Sequence, residues 1–180
     1  LSMQLDRFSN PDSGVWEESH TYFNHVLRTL VMFMWEQREQ ANSRDGLAGS
    51  LDWFADLRFQ RLCSAALHLV TPRDRNAGGL RMMAPLGDHG MELRWHTFHA
   101  LAMGLVETNP TLAGALSWLS VENGWKGTLH VVPVKPCLAS RRVQGIGAVR
   151  RGLQDGACGG ESLVVLRAGS SWAHYHCDEL

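Results

Sequence analysis

The stretch Ala113-Gly-Ala-Leu-Ser-Trp-Leu-Ser-Val-Glu-Asn-Gly-Trp-Lys-Gly-Thr-Leu-His-Val-Val-Pro-Val134 decides how the rest of the chain is read. Its apolar residues fall in two runs separated by Glu122-Asn123-Gly124. Leu116, Trp118 and Val121 stand before the break. After it, Thr128, His130 and Val132 alternate with Leu129, Val131 and Pro133. β-branched and aromatic residues suit a pleated, half-buried surface. Asn123-Gly124 tolerates the positive φ that a chain reversal needs. The stretch therefore predicts the central hairpin of a β-rich domain.

Upstream, the segment from Trp16 to about Gln40 has helical spacing. Tyr22, Val26, Leu30 and Phe33/Met34 recur every three or four residues, and Phe23, Leu27 and Val31 widen the stripe. Ala41–Ser50 is a polar loop. Leu51–Phe59 fits a strand beside a turn, and Gln60–Leu69 fits a helix with Leu62, Ala65, Ala66 and Leu69 in phase. Thr71–Gly79 is a loop, and Leu80–Ala84 a short strand. Met91, Leu93 and Trp95 alternate with Glu92, Arg94 and His96, which is strand periodicity. A short helix over His99–Val106 is closed by Asn109-Pro110. Downstream, Pro136–Gly160 reads as loop and weak strand whose Arg141, Arg142, Arg150 and Arg151 belong to a solvated surface rather than a phosphate site. Leu163–Leu166 is a buried strand, and Trp172 opens another.

The chain has 180 residues, 44% of them apolar and 19% charged, which suits one globular domain. Residues 1–50 form a helical N-terminal extension and 51–180 a β-rich core. The net charge of −1 gives no electrostatic case for nucleic acid or an anionic membrane as partner. The four cysteines form no Cys-x-x-Cys pair, so neither a zinc knuckle nor a disulfide framework is expected. With no basic-then-apolar leader at the N-terminus, the expected compartment is the cytoplasm.

Four constellations offer chemistry. Asp88-His89 lies in the glycine turn Pro85–Gly90, where the carboxylate either closes its own turn or joins the imidazole on a metal. His96 and His99 share a face if the segment is helical. His174 and His176 alternate, so both point to one side of an extended segment, as metal ligands or as one buried and one solvated ring. Asp155-Gly-Ala-Cys-Gly-Gly160 resembles the nucleophile turn of chymotrypsin-like cysteine proteases, which leaves a protease using Cys158 as one alternative.

Several of these stretches, in this order, resemble one family. It is the domain of unknown function 1479 family, relatives of phytanoyl-CoA dioxygenase among the iron(II)/2-oxoglutarate oxygenases. Leu116-Ser-Trp-Leu-Ser with Gly127-Thr-Leu-His-Val-Val-Pro resembles the family's hairpin. Ala168-Gly-Ser-Ser-Trp-Ala-His-Tyr-His-Cys-Asp is similar to its late strand. Pro85-Leu-Gly-Asp-His-Gly-Met-Glu-Leu-Arg-Trp95 is similar to its metal turn. The resemblance implies a double-stranded β-helix, a jelly-roll-like barrel with flanking helices. It implies Fe(II) held by two histidines and a carboxylate, 2-oxoglutarate as co-substrate and hydroxylation of a small organic substrate. Asp88 matches the carboxylate, and Arg94-Trp95 the end of the motif. Leu86 stands where the first metal histidine belongs, and His89 replaces it only if the turn shifts. The family's second metal histidine follows the His-Cys-Asp segment and falls beyond Leu180, which leaves His176 as a candidate and implies a barrel cut short at its C-terminal end. The alternative under the same resemblance is a non-catalytic or truncated domain with an incomplete metal site.

Overall fold

A computed structural model of the chain describes residues 20–43, 52–84, 95–138, 141–143, 146–151 and 161–167. Within them the chain is helical, not mainly β. Four helices, α1 (His20–Ser43), α2 (Leu57–His68), α3 (Trp95–Leu105) and α4 (Pro110–Glu122), surround the core. A 3-10 turn (Trp53–Ala55) precedes α2, and three strands follow α4. These strands, β1 (Arg141–Val143), β2 (Ile146–Arg151) and β3 (Ser162–Arg167), make one antiparallel sheet in the order β1-β2-β3. The expected double-stranded β-helix, or jelly roll, is overturned by this arrangement.

The correction turns on the opening stretch. Its first half is α4, not a strand. The Asn109 side chain accepts from Leu112 N–H at 3.1 Å, Pro110 opens the first turn, and Asn123 closes the last. Gly124 follows at φ +96°, the left-handed conformation that ends many helices. Asn-Gly is thus a helix stop here rather than a hairpin tip. From Leu112 to Ser120 only Trp118 is not buried. A helix enclosed on all sides carries no apolar stripe, so the 3.6-residue period that marks surface helices is missing. Its two buried hydroxyls are satisfied: Ser117 Oγ donates to the Val131 carbonyl at 2.7 Å, and Ser120 Oγ to the Leu116 carbonyl at 3.0 Å.

The second half of the stretch is extended, but it pairs with no strand among the described residues. It lies across α4, with Val134 N–H donating to the Gly114 carbonyl at 2.9 Å. Leu129, Val132 and Val134 are exposed, while Val131 is buried.

Around α4 the core is built from helix faces. α1 buries Leu27, Val31 and Met34 at i, i+4 and i+7, and Trp35 Nε1 donates to the Ala100 carbonyl at 3.1 Å. Phe33, expected on the buried stripe, is exposed. α2 begins where a strand was expected over Leu51–Phe59. Asp52 accepts from Phe54 N–H at 3.1 Å and Asp56 from Arg58 N–H at 2.8 Å, so two successive side-chain caps start the 3-10 turn and then the helix. α3 presses closely on the 3-10 turn, since a Cβ at Gly104 would stand 2.2 Å from the Phe54 ring. Between α2 and α3, Thr71–Ala84 folds back on itself through the isolated bridges Val70↔Met83 and Asp74↔Leu80. The strand expected over Met91–Trp95 meets the start of α3 at Trp95, and residues 91–94 lie outside the described ones.

The sheet shields one end of this core. Ala148 is buried and Val165 packs against the core, while Val149, Val164 and Leu166 stand more than half exposed on the other face. Leu163–Leu166 is therefore a strand, but one buried on a single face. No described helix is long and apolar enough to cross a membrane.

Candidate functional site

Asp88, His89, Cys158, His174 and His176 lie outside the described residues. Of the sequence candidates, the structure places His96 and His99, and it puts them on one helix rather than at the end of a strand. His96 is exposed, and His99, one turn further along α3, is buried at 7% exposure.

His99 sits in an aromatic cluster. The Trp125 indole stacks on its ring, with centroids 4.2 Å apart and planes 24° from parallel. The exposed His130 ring is next, 6.4 Å away between centroids. Trp125 and His130 come from the extended segment after α4, fixed there because its Val131 carbonyl is tied to Ser117. Burial lowers the His99 pKa, and the charge of His130 lowers it further, so the His99 ring is neutral at neutral pH. Stacking by Trp125 covers one face of the ring and leaves its in-plane nitrogens unaffected. His99 Nδ1 finds no hydrogen-bond partner among the described residues, and neither does the buried Thr97 Oγ1 two residues earlier. A buried polar atom left without a partner costs about 1–3 kcal/mol, so both atoms carry unused bonding capacity, though at i, i+2 they face different sides of α3. Among the described residues no group of three or more His, Cys, Asp and Glu side chains converges as metal ligands would.

A second polar group lies beneath the sheet. Glu122, at the end of α4, accepts from Arg73 at 2.8 and 3.0 Å and from Arg81 Nε at 3.0 Å. Glu161, just before β3, accepts from Arg81 Nη1 at 2.8 Å and from Arg150 of β2. Arg150 also donates to the Val70 carbonyl, and Arg81 to the Thr71 carbonyl at 3.1 Å. Asn123 holds the Arg81 backbone at both ends, with bonds of 3.1 and 2.9 Å. Burial alone would raise the Glu122 carboxyl, but the hydrogen bonds and charges of Arg73 and Arg81 outweigh it and hold it below the ordinary range. Burial opposes the charge of Arg150, and Glu161 supports it. This chain of three guanidiniums and two carboxylates is a structural clamp between sheet and helices. Arg150, expected on a solvated surface, is one of its buried members, whereas Arg151 is exposed.

The thiol of Cys63 is enclosed in the core and burial pushes its pKa far up, which leaves it inert; Cys137 is exposed. A cavity of about 210 Å³ opens beside the last turns of α1, lined by Met34, Gln37, Asp52, Trp53 and Glu107. Its Arg38 is engaged by Asp52 at 2.8 Å and lies 4.4 Å from the Phe54 ring centroid.

Trp125 and His130 were not singled out by sequence. The one signal they carry is that they flank the Gly127-Thr-Leu motif, in a segment whose neighbour Val131 must be buried. Compared with family models, with curated proteins and with solved structures, the chain matches none.

Proposed function

We propose that the protein is a metal-dependent oxygenase of the iron(II)/2-oxoglutarate type acting on a small organic substrate, with Asp88 as the carboxylate ligand and His89 and His176 as imidazole candidates. The observation that supports a metal is the Pro85–Trp95 stretch, which resembles a metal turn and leads directly into α3. The oxidative reaction rests on the motif resemblance alone, because the family's barrel is not the fold described here. Bound iron would supply activation of oxygen. Asp88, His89 and His176 would bind and orient it. Anaerobic titration with Fe(II), with and without 2-oxoglutarate, tests the proposal. Saturable micromolar binding is expected, and, once O2 is admitted as the oxidant, conversion of 2-oxoglutarate to succinate and CO2. No binding at micromolar metal refutes it.

A second reading is favoured by one observation, the exposed Val149–Val164–Leu166 face on an open sheet. Such a face suits an interaction module without catalysis. Concentration-dependent association that disappears in Val164→Ser, with no metal uptake, would support it over the oxygenase.

A further inference from the structure

We propose that His99 and His130 themselves hold a divalent transition metal, at a site separate from Asp88, His89 and His176. The pair combines a rigid donor and a mobile one. His99 is fixed on α3 by burial and by the Trp125 stack, and its Nδ1 is unpartnered among the described residues. His130 is exposed, so its ring can turn, while its backbone is anchored one residue away by the Ser117–Val131 bond. Imidazole nitrogens bind such metals at about 2.0–2.1 Å, which puts the centroids of two tetrahedral ligands about 5 Å apart. The ring centroids stand 6.4 Å apart, so the two rings must draw together by about 1 Å when the metal binds. Two imidazoles with water completing the shell favour borderline ions, nickel, copper(II) or zinc, over calcium or magnesium, which take oxygen ligands. The rim stays open to solvent at His130, leaving coordination positions for a small ligand.

This inference does not depend on the oxygenase reading, and the test keeps the two apart. The purified chain is titrated with nickel(II) by calorimetry and, in parallel, by quenching of tryptophan fluorescence. One ion per chain is expected at this site, beyond any ion held by Asp88, His89 and His176, with quenching that falls in Trp125→Phe. Loss of an outer-shell partner already costs about 10–100-fold in metal affinity, so removing a ligand in His130→Gln costs at least about tenfold. His130 is exposed, so that variant folds. Asp88→Asn retains the ion that His130→Gln loses, since the sites are separate. Nickel affinity unchanged in His130→Gln overturns the inference. Loss in Asp88→Asn alone does so too, and assigns the metal to the Pro85–Trp95 turn.

Discussion

Glu161→Gln removes one charge from the clamp beneath the sheet. Glu161 is the carboxylate shared by Arg81 and Arg150, and the three side chains are 10%, 6% and 2% exposed. Without it, among the described residues Arg150 has no carboxylate and Arg81 keeps only Glu122, which it shares with Arg73. Removing one partner of a buried ion pair costs about 3–5 kcal/mol, because the remaining charge stays desolvated. Glutamine retains one carbonyl acceptor, so the lower end, about 3 kcal/mol, is expected. For a chain of this size that is a fall of roughly 6–12 °C in Tm. Urea unfolding followed by circular dichroism measures it, and amide exchange locates it in β2 and β3. Arg73→Gln is the control. Arg73 is 43% exposed, so its loss costs about 1 kcal/mol or less despite its two bonds to Glu122. Equal effects of the two substitutions, or a Glu161→Gln cost below about 1 kcal/mol, would refute the clamp. The double change Arg150→Met with Glu161→Leu is expected to recover the part of the loss due to Arg150, while Arg81 still lacks its second carboxylate.

Ser117→Ala leaves the Val131 carbonyl, one of the anchors of the Trp125–His130 segment, without its partner. It should cost about 1–3 kcal/mol and also weaken nickel binding, whereas a fault confined to α4 packing would leave metal affinity unchanged. Acid should loosen the chain through Glu122 and Asp56. The Arg58 hydrogen bond holds Asp56 low, and the arginines outweigh burial at Glu122. A carboxyl depressed by folding stabilises above its unfolded pKa and ceases to do so as pH falls through its folded value. Stability should therefore decline below about pH 4.5, and a flat unfolding midpoint between about pH 5 and 3 would contradict this.

What the sequence reveals depends on how each element meets solvent. α1 is legible because one face is wet, and the buried Leu27, Val31 and Met34 recur at helical spacing. α4 is not, because enclosure removes the contrast that pattern reading uses. Its punctuation was nonetheless present: Asn109-Pro110 at the front and Asn123-Gly124 at the back mark a helix, but the same residue types mark turns. Runs of Leu, Val and Trp then favour a strand by composition alone. β2 falls in a segment legible only as loop and weak strand, because Gly147 and Ala148 give it little side-chain alternation, whereas β3 was recognised from its Leu and Val residues. The candidate site was half visible. His99 drew attention as half of a pair with His96, yet its closer neighbours come from residues 125–130, brought in by the course of the chain after α4 rather than by local spacing.

The clamp also bears on the order in which the chain assembles. Arg150 reaches Val70, and Arg81 reaches Glu161, each across 80 residues of sequence. α3 and α4, by contrast, are joined by a few residues and share the most extensive helix contact. Contacts between distant positions close large loops and come late, whereas neighbouring helices meet early. The helical pair is therefore the natural nucleus, and the sheet locks on last. Substitutions at Glu161 should accelerate unfolding and scarcely slow folding, while those in α4 should do the reverse.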